Sequence, residues 1–152
     1  MSTGPHPRTA CHASGMIPAL DGAYRSTVYR VLAPGAAIDL SIDRRSSGLD
    51  ALLAQRGVST WAFLSACNPR SIAAPPGVNR RQAARLKRAL AARGWCWLDG
   101  AGVPRDRRLA PEPSVWVGGI SLRDARRLAA HFGQNAFLAG RRGRPARLIW
   151  LR

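Results

Sequence analysis

Seven residues from three separate stretches carry side chains able to hold a small polar molecule. They are Asn68, Arg70 and Ser71 in CNPRS, Glu112 and Ser114 in PEPS, and Gln134 with Asn135 in FGQN. Amides and hydroxyls both donate and accept hydrogen bonds, and the arginine fork matches phosphate and carboxylate oxygens. Their combination predicts a pocket for a small anionic ligand bearing a phosphate or a carboxylate. Glu112 is the only glutamate in the chain and stands between Pro111 and Pro113. Its expected role is to pair with Arg70 and orient that guanidinium, rather than to transfer a proton. Each group also has a structural alternative. Asn68 and Ser71 can close a turn, Asn79 can cap a helix, and Gln134 with Asn135 can satisfy carbonyls at a helix end. Ser114 can simply start a strand.

A second set points to a different class of partner. Arg80, Arg81, Arg85, Lys87 and Arg88 fall in one helical segment without an acid, and Arg141, Arg142 and Arg144 share one turn. Arg105, Arg107 and Arg108 add a basic loop. The chain has 24 Lys+Arg against 8 Asp+Glu, a formal net charge of +16, and Lys87 is its only lysine. A field this positive attracts polyanions, so the alternative reading is a nucleic-acid-binding accessory protein. A basic helix docking on an acidic protein is the third.

Catalytic patterns are sparse. A Cys67–His131 dyad would supply a nucleophile and a base, but His131 closes an amphipathic helix and Cys67 ends an apolar strand. There is no Walker loop, GxGxxG, HExxH or paired-carboxylate pattern, so no reaction is assigned and no cofactor is expected. His6, Cys11 and His12 lack a fourth ligand and a metal-site spacing, and no metal is expected. Cys11, Cys67 and Cys96 are odd in number and form no CxxC, which argues against a disulfide framework.

The elements that must position these groups follow from periodicity. At 152 residues the chain has the length of one domain,. No apolar run reaches the roughly 18 residues of a membrane helix, so no membrane partner is expected. Residues 1–20 lack periodicity and a secretory signal and read as a flexible tail, with Met16 as an alternative start. A cytoplasmic location in a bacterium is expected. Strands are predicted over Tyr24 to Leu32, Ala37 to Ile42, Val58 to Cys67 in the middle of the sheet, Trp95 to Leu98, Ser114 to Val117, Asn135 to Leu138 and Ala146 to Leu151. Three helices are predicted: one opened by Ser47 and Asp50 and stopped by Gly57, one from Asn79 to Arg93, and one capped by Ser121 and Asp124 and ended by Gly133. Asp99 to Pro113 reads as a Gly/Pro/Arg loop. All five tryptophans fall in strand segments, where core packing is the expected role. The fold class is α/β or α+β: residues 21–152 form one mixed sheet of about six to seven strands with three helices.

From Ala23 onward the chain resembles the bacterial family known as domain of unknown function 3293. The resemblance rests on Tyr24-Arg25 with Tyr29, FLSACNPRS, Asn79, APEPS at Ala110 to Ser114, GIS at Gly119 to Ser121, and FGQNAFL at Phe132 to Leu138. It implies positions rather than an activity: Asn68, Ser71, Asn79, Glu112, Ser114, Gln134 and Asn135. Ser65 stands where that pattern usually has threonine, Cys67 where it often has an aromatic residue, and Ala110 where it has tryptophan.

Overall fold

The structure, a computed structural model, describes residues 13–151. Helix α1 (Ala13–Arg25) leads into the hairpin of β1 (Thr27–Ala33) and β2 (Ala36–Leu40), turned at Pro34-Gly35. Then come α2 (Ser47–Arg56), β3 (Thr60–Leu64), a 3-10 turn (Pro69–Ser71) and α3 (Pro76–Ala92). The chain continues through β4 (Trp97–Pro104), β5 (Glu112–Gly118), α4 (Leu122–His131), β6 (Ala136–Arg141) and β7 (Arg147–Trp150). The strands make one seven-stranded sheet in the order β2-β1-β4-β5-β3-β6-β7.

Every pairing in that sheet is antiparallel, which corrects the expected mixed sheet. Helices between β3 and β4, and between β5 and β6, suggest parallel neighbours. Each pair does run in one direction, but a strand of opposite direction lies between its members: β5 in the first case, β3 in the second. The class is therefore α+β, and β3 is an interior strand as expected.

The described residues hold four helices rather than three. The addition is α1, which replaces the carboxyl end of the expected tail and the start of the expected first strand. Of that tail, residues 1–12 lie outside the described residues, and so do His6, Cys11 and His12. Pro18 and Gly22 punctuate the segment and hide its helical period. The spacing of Leu20, Ala23 and Tyr24 (i, i+3, i+4) nonetheless gives one face to the helix.

Side chains alternate across the sheet and both faces are covered. On one face Ala62, Leu64, Val115, Val117, Phe137 and Ala139 pack with Leu86 and Leu90 of α3 and with Ala125 and Ala129 of α4. On the other, Tyr29, Val31, Trp61, Phe63, Trp116 and Leu138 pack with Leu49, Leu52 and Leu53 of α2. Leu122 is 46% exposed at the first position of α4. Trp61 and Trp116 are core residues, Trp97 lies in β4 partly buried, and Trp150 meets Tyr24 edge-on at 5.5 Å. Trp95 precedes β4 rather than lying in a strand, with the Arg93 guanidinium 5.9 Å from its ring centre.

Helix α2 is capped by Ser46, one residue before the expected Ser47, and Gly57 closes it at φ 66°. Ser121 caps α4 as expected, accepting from the Asp124 amide at 3.1 Å. β4 runs through much of the expected loop, because Gly100 and Gly102 belong to the sheet. A Cβ on Gly100 would lie 2.8 Å from both the Arg30 carbonyl oxygen and the Phe63 ring, so the ring occupies the space a side chain would need.

Candidate functional site

The antiparallel order brings one end of five strands together. β3 and β4 end where β1, β5 and β6 begin. The register pairs Tyr29 with Gly102, Gly102 with Glu112, and Phe63 with both Trp116 and Leu138, so these side chains share the sheet face that α2 covers further along. Glycine at 102 leaves the middle of this floor low. The Leu20, Ala23 and Tyr24 face of α1 roofs it, and Ala73, Leu109 and Ala110 form the rim. The result is a cavity of about 540 Å³.

Five of the seven residues predicted to bind a ligand line this cavity: Asn68, Ser71, Glu112, Ser114 and Gln134. Asn135 stands just outside the lining, donating from Nδ2 to Ser71 Oγ at 3.0 Å. Arg70 is not brought in. Its side chain is exposed, and its backbone amide donates to the Gly133 carbonyl at 2.7 Å. The expected Glu112–Arg70 pair is corrected accordingly: Glu112 Oε1 accepts instead from Asn68 Nδ2 at 3.3 Å.

Asn68 is the hub. Its Oδ1 accepts from the Ala74 amide at 3.0 Å and from Asn79 Nδ2 at 2.9 Å, while its own amide donates to Asn79 Oδ1 at 2.9 Å. Asn79 therefore does not cap α3. That helix starts at Pro76, whose missing N–H costs nothing in a first turn, and Asn79 spends its side chain on clasping Asn68,. The chain around the clasp is strained: Asn68, Arg70 and Ser71 all have positive φ, at 46°, 58° and 61°. Non-glycine residues held in this region cluster at functional sites.

Two of the lining groups are committed to the backbone. Ser114 Oγ donates to the Glu112 carbonyl at 3.1 Å, and Gln134 Nε2 donates to the Cys67 carbonyl at 3.0 Å. Ser114 lies inside β5 rather than starting it, and Gln134 reaches the Phe132 carbonyl at the end of α4 only at 3.4 Å, so both side chains frame the cavity. Cys67 is a buried thiol whose pKa is pushed up by burial and then by the Glu112 charge, with Sγ turned to the Pro113 carbonyl at 3.7 Å. His131 is exposed and stacks edge-on to Phe132 at 5.0 Å, so it forms no dyad with Cys67.

The carboxyl in the lining is that of Glu112. Burial lifts its pKa from 4.5 to about 6, against hydrogen bonds from Asn68 and Ser65 that lower it. The residues missed as site members are Tyr24, Tyr29 and Ser65, all in the lining. Tyr29 donates from its hydroxyl to the Tyr24 carbonyl at 2.8 Å, pinning the end of α1 to the floor. Burial raises both phenol pKa values, with the Ser71 hydroxyl lowering that of Tyr24. The two tyrosines did carry a signal, since both stand among the residues on which the resemblance rests. Among the described residues no cluster of His, Cys, Asp and Glu could hold a metal ion.

Residues 64–137, just short of half the chain, match the model of a family described as protein of unknown function (DUF3293). Over that stretch the chain is similar to DUF3293. No curated protein and no solved structure matches it significantly. The DUF3293 stretch contains the whole polar wall, from Ser65 and Asn68 through Glu112 to Gln134, while α1 and β1 supply the two tyrosines from outside it. No helix of the described residues is long and apolar enough to cross a membrane.

The raised carboxyl has a consequence for stability. The folded state binds a proton more tightly than the unfolded chain, so Glu112 stabilises the fold below about pH 4.5, and that contribution is lost as pH rises through about 6,. The size is about 2 kcal/mol, from 1.36 kcal/mol for each pKa unit. Urea unfolding between these pH values is expected to show the decline in the wild type, and Glu112→Gln is expected to flatten it. A wild-type profile already flat across this window contradicts the assignment.

Proposed function

We propose that this protein binds a small polar molecule in the cavity at the strand ends, with Glu112 and Asn68 as the recognising pair. The observation that carries this reading is convergence. Three distant stretches deliver amide, hydroxyl and carboxyl groups to one cavity of about 540 Å³, within the usual range of ligand pockets,. The apolar floor of Tyr29, Phe63 and Leu138 supplies burial, and the polar wall supplies orientation. An anionic ligand is the poorer fit. The lining contains no basic side chain, and Arg70, expected to supply the charge, stands elsewhere. A carboxyl poised near neutrality is also able to exchange a proton with a bound molecule.

The test is a thermal-shift screen with small neutral, cationic and anionic molecules, repeated on Ala73→Trp, which fills the rim from an exposed position. A ligand at about 100 times its Kd adds about 2.7 kcal/mol, a rise of roughly 5–10 °C for a chain of this size. The rise is expected in the wild type and not in Ala73→Trp. No shift with any compound, or an equal shift in the variant, refutes the site. Resonances of the bound compound, followed over hours, report turnover.

A second reading, nucleic-acid binding, is supported by the basic surface. Arg80, Arg81, Arg85 and Arg88 are exposed along α3, and none makes an ion pair among the described residues. Lys87 is different, being paired to Asp99 at 2.7 Å. Arg141, Arg142 and Arg144 are exposed at the end of the sheet away from the cavity, where Arg141 faces Thr60. Duplex binding through α3 is expected to lose about 0.9 log unit of affinity per phosphate contact for each log unit of salt. Arg81→Glu with Arg85→Glu should reduce that slope by about 1.8. An unchanged slope, or no retention on DNA or RNA near physiological salt, removes the reading.

A further inference from the structure

The chain has eight acidic residues, and the structure gives all but one a positive partner. Asp21 and Asp43 pair with Arg25, Asp39 with Arg30, Asp50 with Arg45, Asp99 with Lys87, and Asp106 with Arg108. Asp124 sits in the first turn of α4, on the positive end of its dipole,. Among the described residues Glu112 alone has neither, in a protein carrying a formal charge of +16. With so many arginines, a carboxylate at an arbitrary surface position meets a guanidinium easily. The cavity wall has none: among the described residues no arginine or lysine lines it.

A half-buried carboxylate without a counter-ion carries a desolvation cost, which it avoids by taking up a proton or by meeting a cation. The walls around Glu112 suit a cation. Tyr24, Tyr29 and Phe63 line the same cavity, the last two edge-to-face with centres 5.5 Å apart, and aromatic faces attract ammonium groups,. The Asn68 amide holds Oε1 in place. Ser71 and Tyr24 add hydroxyls on the roof side.

We propose that the cavity takes an organic cation, a small molecule bearing a protonated amine that pairs with Glu112 between the rings of Tyr24, Tyr29 and Phe63. This rests on the binding reading above and names its ligand class. The overall positive charge does not forbid it, because exposed guanidinium groups are screened over about 8 Å at physiological salt, whereas a contact pair inside the cavity is screened far less. The other titratable groups facing Glu112 are Tyr24 from α1, Tyr29 from β1 and Cys67 beyond β3. Burial raises the pKa of all three, so they stay neutral while Glu112 ionises.

Three probes with one ring and three charges test this: benzylamine, benzyl alcohol and benzoate, titrated into the full chain and followed by backbone amide resonances. Benzylamine is expected to shift cavity amides, Tyr24 and Ser114 among them, at least about tenfold more tightly than benzyl alcohol, with benzoate weakest. Its affinity should fall about tenfold from pH 7.5 to pH 5, following the ionised fraction of a carboxyl near 6,. Glu112→Gln should bring benzylamine to the level of benzyl alcohol. The pH profile gives the same answer in the wild type if that variant folds poorly. Benzyl alcohol or benzoate binding as tightly as benzylamine overturns the ligand class and leaves the site intact. If no probe moves a cavity amide, the site and its ligand class both fall.

Discussion

Trp116→Ala is expected to lower the unfolding free energy by about 3–5 kcal/mol, the usual cost of removing a fully buried aromatic ring. Trp116 is 0% exposed, and its cross-strand partners are Phe63 on β3 and Leu98 on β4. The far edge of its indole lies over Gly118, where a Cβ would come within 2.8 Å of the ring. Backbone and indole are thus fitted to each other, and neither neighbouring strand can move in to fill the void without breaking its ladder. Urea denaturation monitored by far-UV circular dichroism measures the loss.

The companion substitution separates packing from polarity. The indole Nε1 of Trp116 is buried and has no hydrogen-bond partner among the described residues, as is true of Trp61. An unmet buried donor costs about 1–3 kcal/mol. Trp116→Phe gives up part of the ring but also removes that donor, so its net cost is expected below about 2 kcal/mol. If Phe proves as damaging as Ala, the orphaned donor carries no penalty and the ring is held by something other than packing.

Much of this architecture was readable from the chain because local signals agreed with their tertiary setting. Leu49, Leu52 and Leu53 mark one helix face and are buried together, and Gly57 stops that helix in the left-handed conformation the spacing demands. The elements misread are those in which a residue serves a partner distant in sequence. Gly100 and Gly102 look like loop punctuation, yet one is glycine because Phe63 lies against it and the other lines the cavity from within the sheet. Pro18 and Gly22 likewise conceal a helix that matters for its roof. Asn79 carries every local mark of a cap, and only the fold reveals that Asn68 claims it first. The site was legible as a set of positions and illegible as electrostatics. Sequence pairs the lone glutamate with Arg70 by opposite charge, whereas the register places it opposite Gly102 and beside an amide.

The amide clasp therefore offers the sharpest test of how strain, fold and site are joined. Asn68→Ala is expected to cost about 3 kcal/mol. The Ala74 amide and Asn79 Nδ2 lose their acceptor, at about 1–3 kcal/mol for each buried donor left unmet, and alanine tolerates a positive φ less well than asparagine by roughly 1 kcal/mol,. Asn68→Gly removes the same side chain but accepts the backbone conformation, so it should be about 1 kcal/mol the milder of the two. Asn68 also lowers the Glu112 pKa through its hydrogen bond. In both variants the pH at which stability declines should move upward from about 6, and ligand binding at neutral pH should weaken with it,. Equal costs for alanine and glycine would mean that the positive φ at residue 68 stores no strain. An unmoved pH midpoint would mean that Asn68 supports the loop alone and has no hold on the carboxyl.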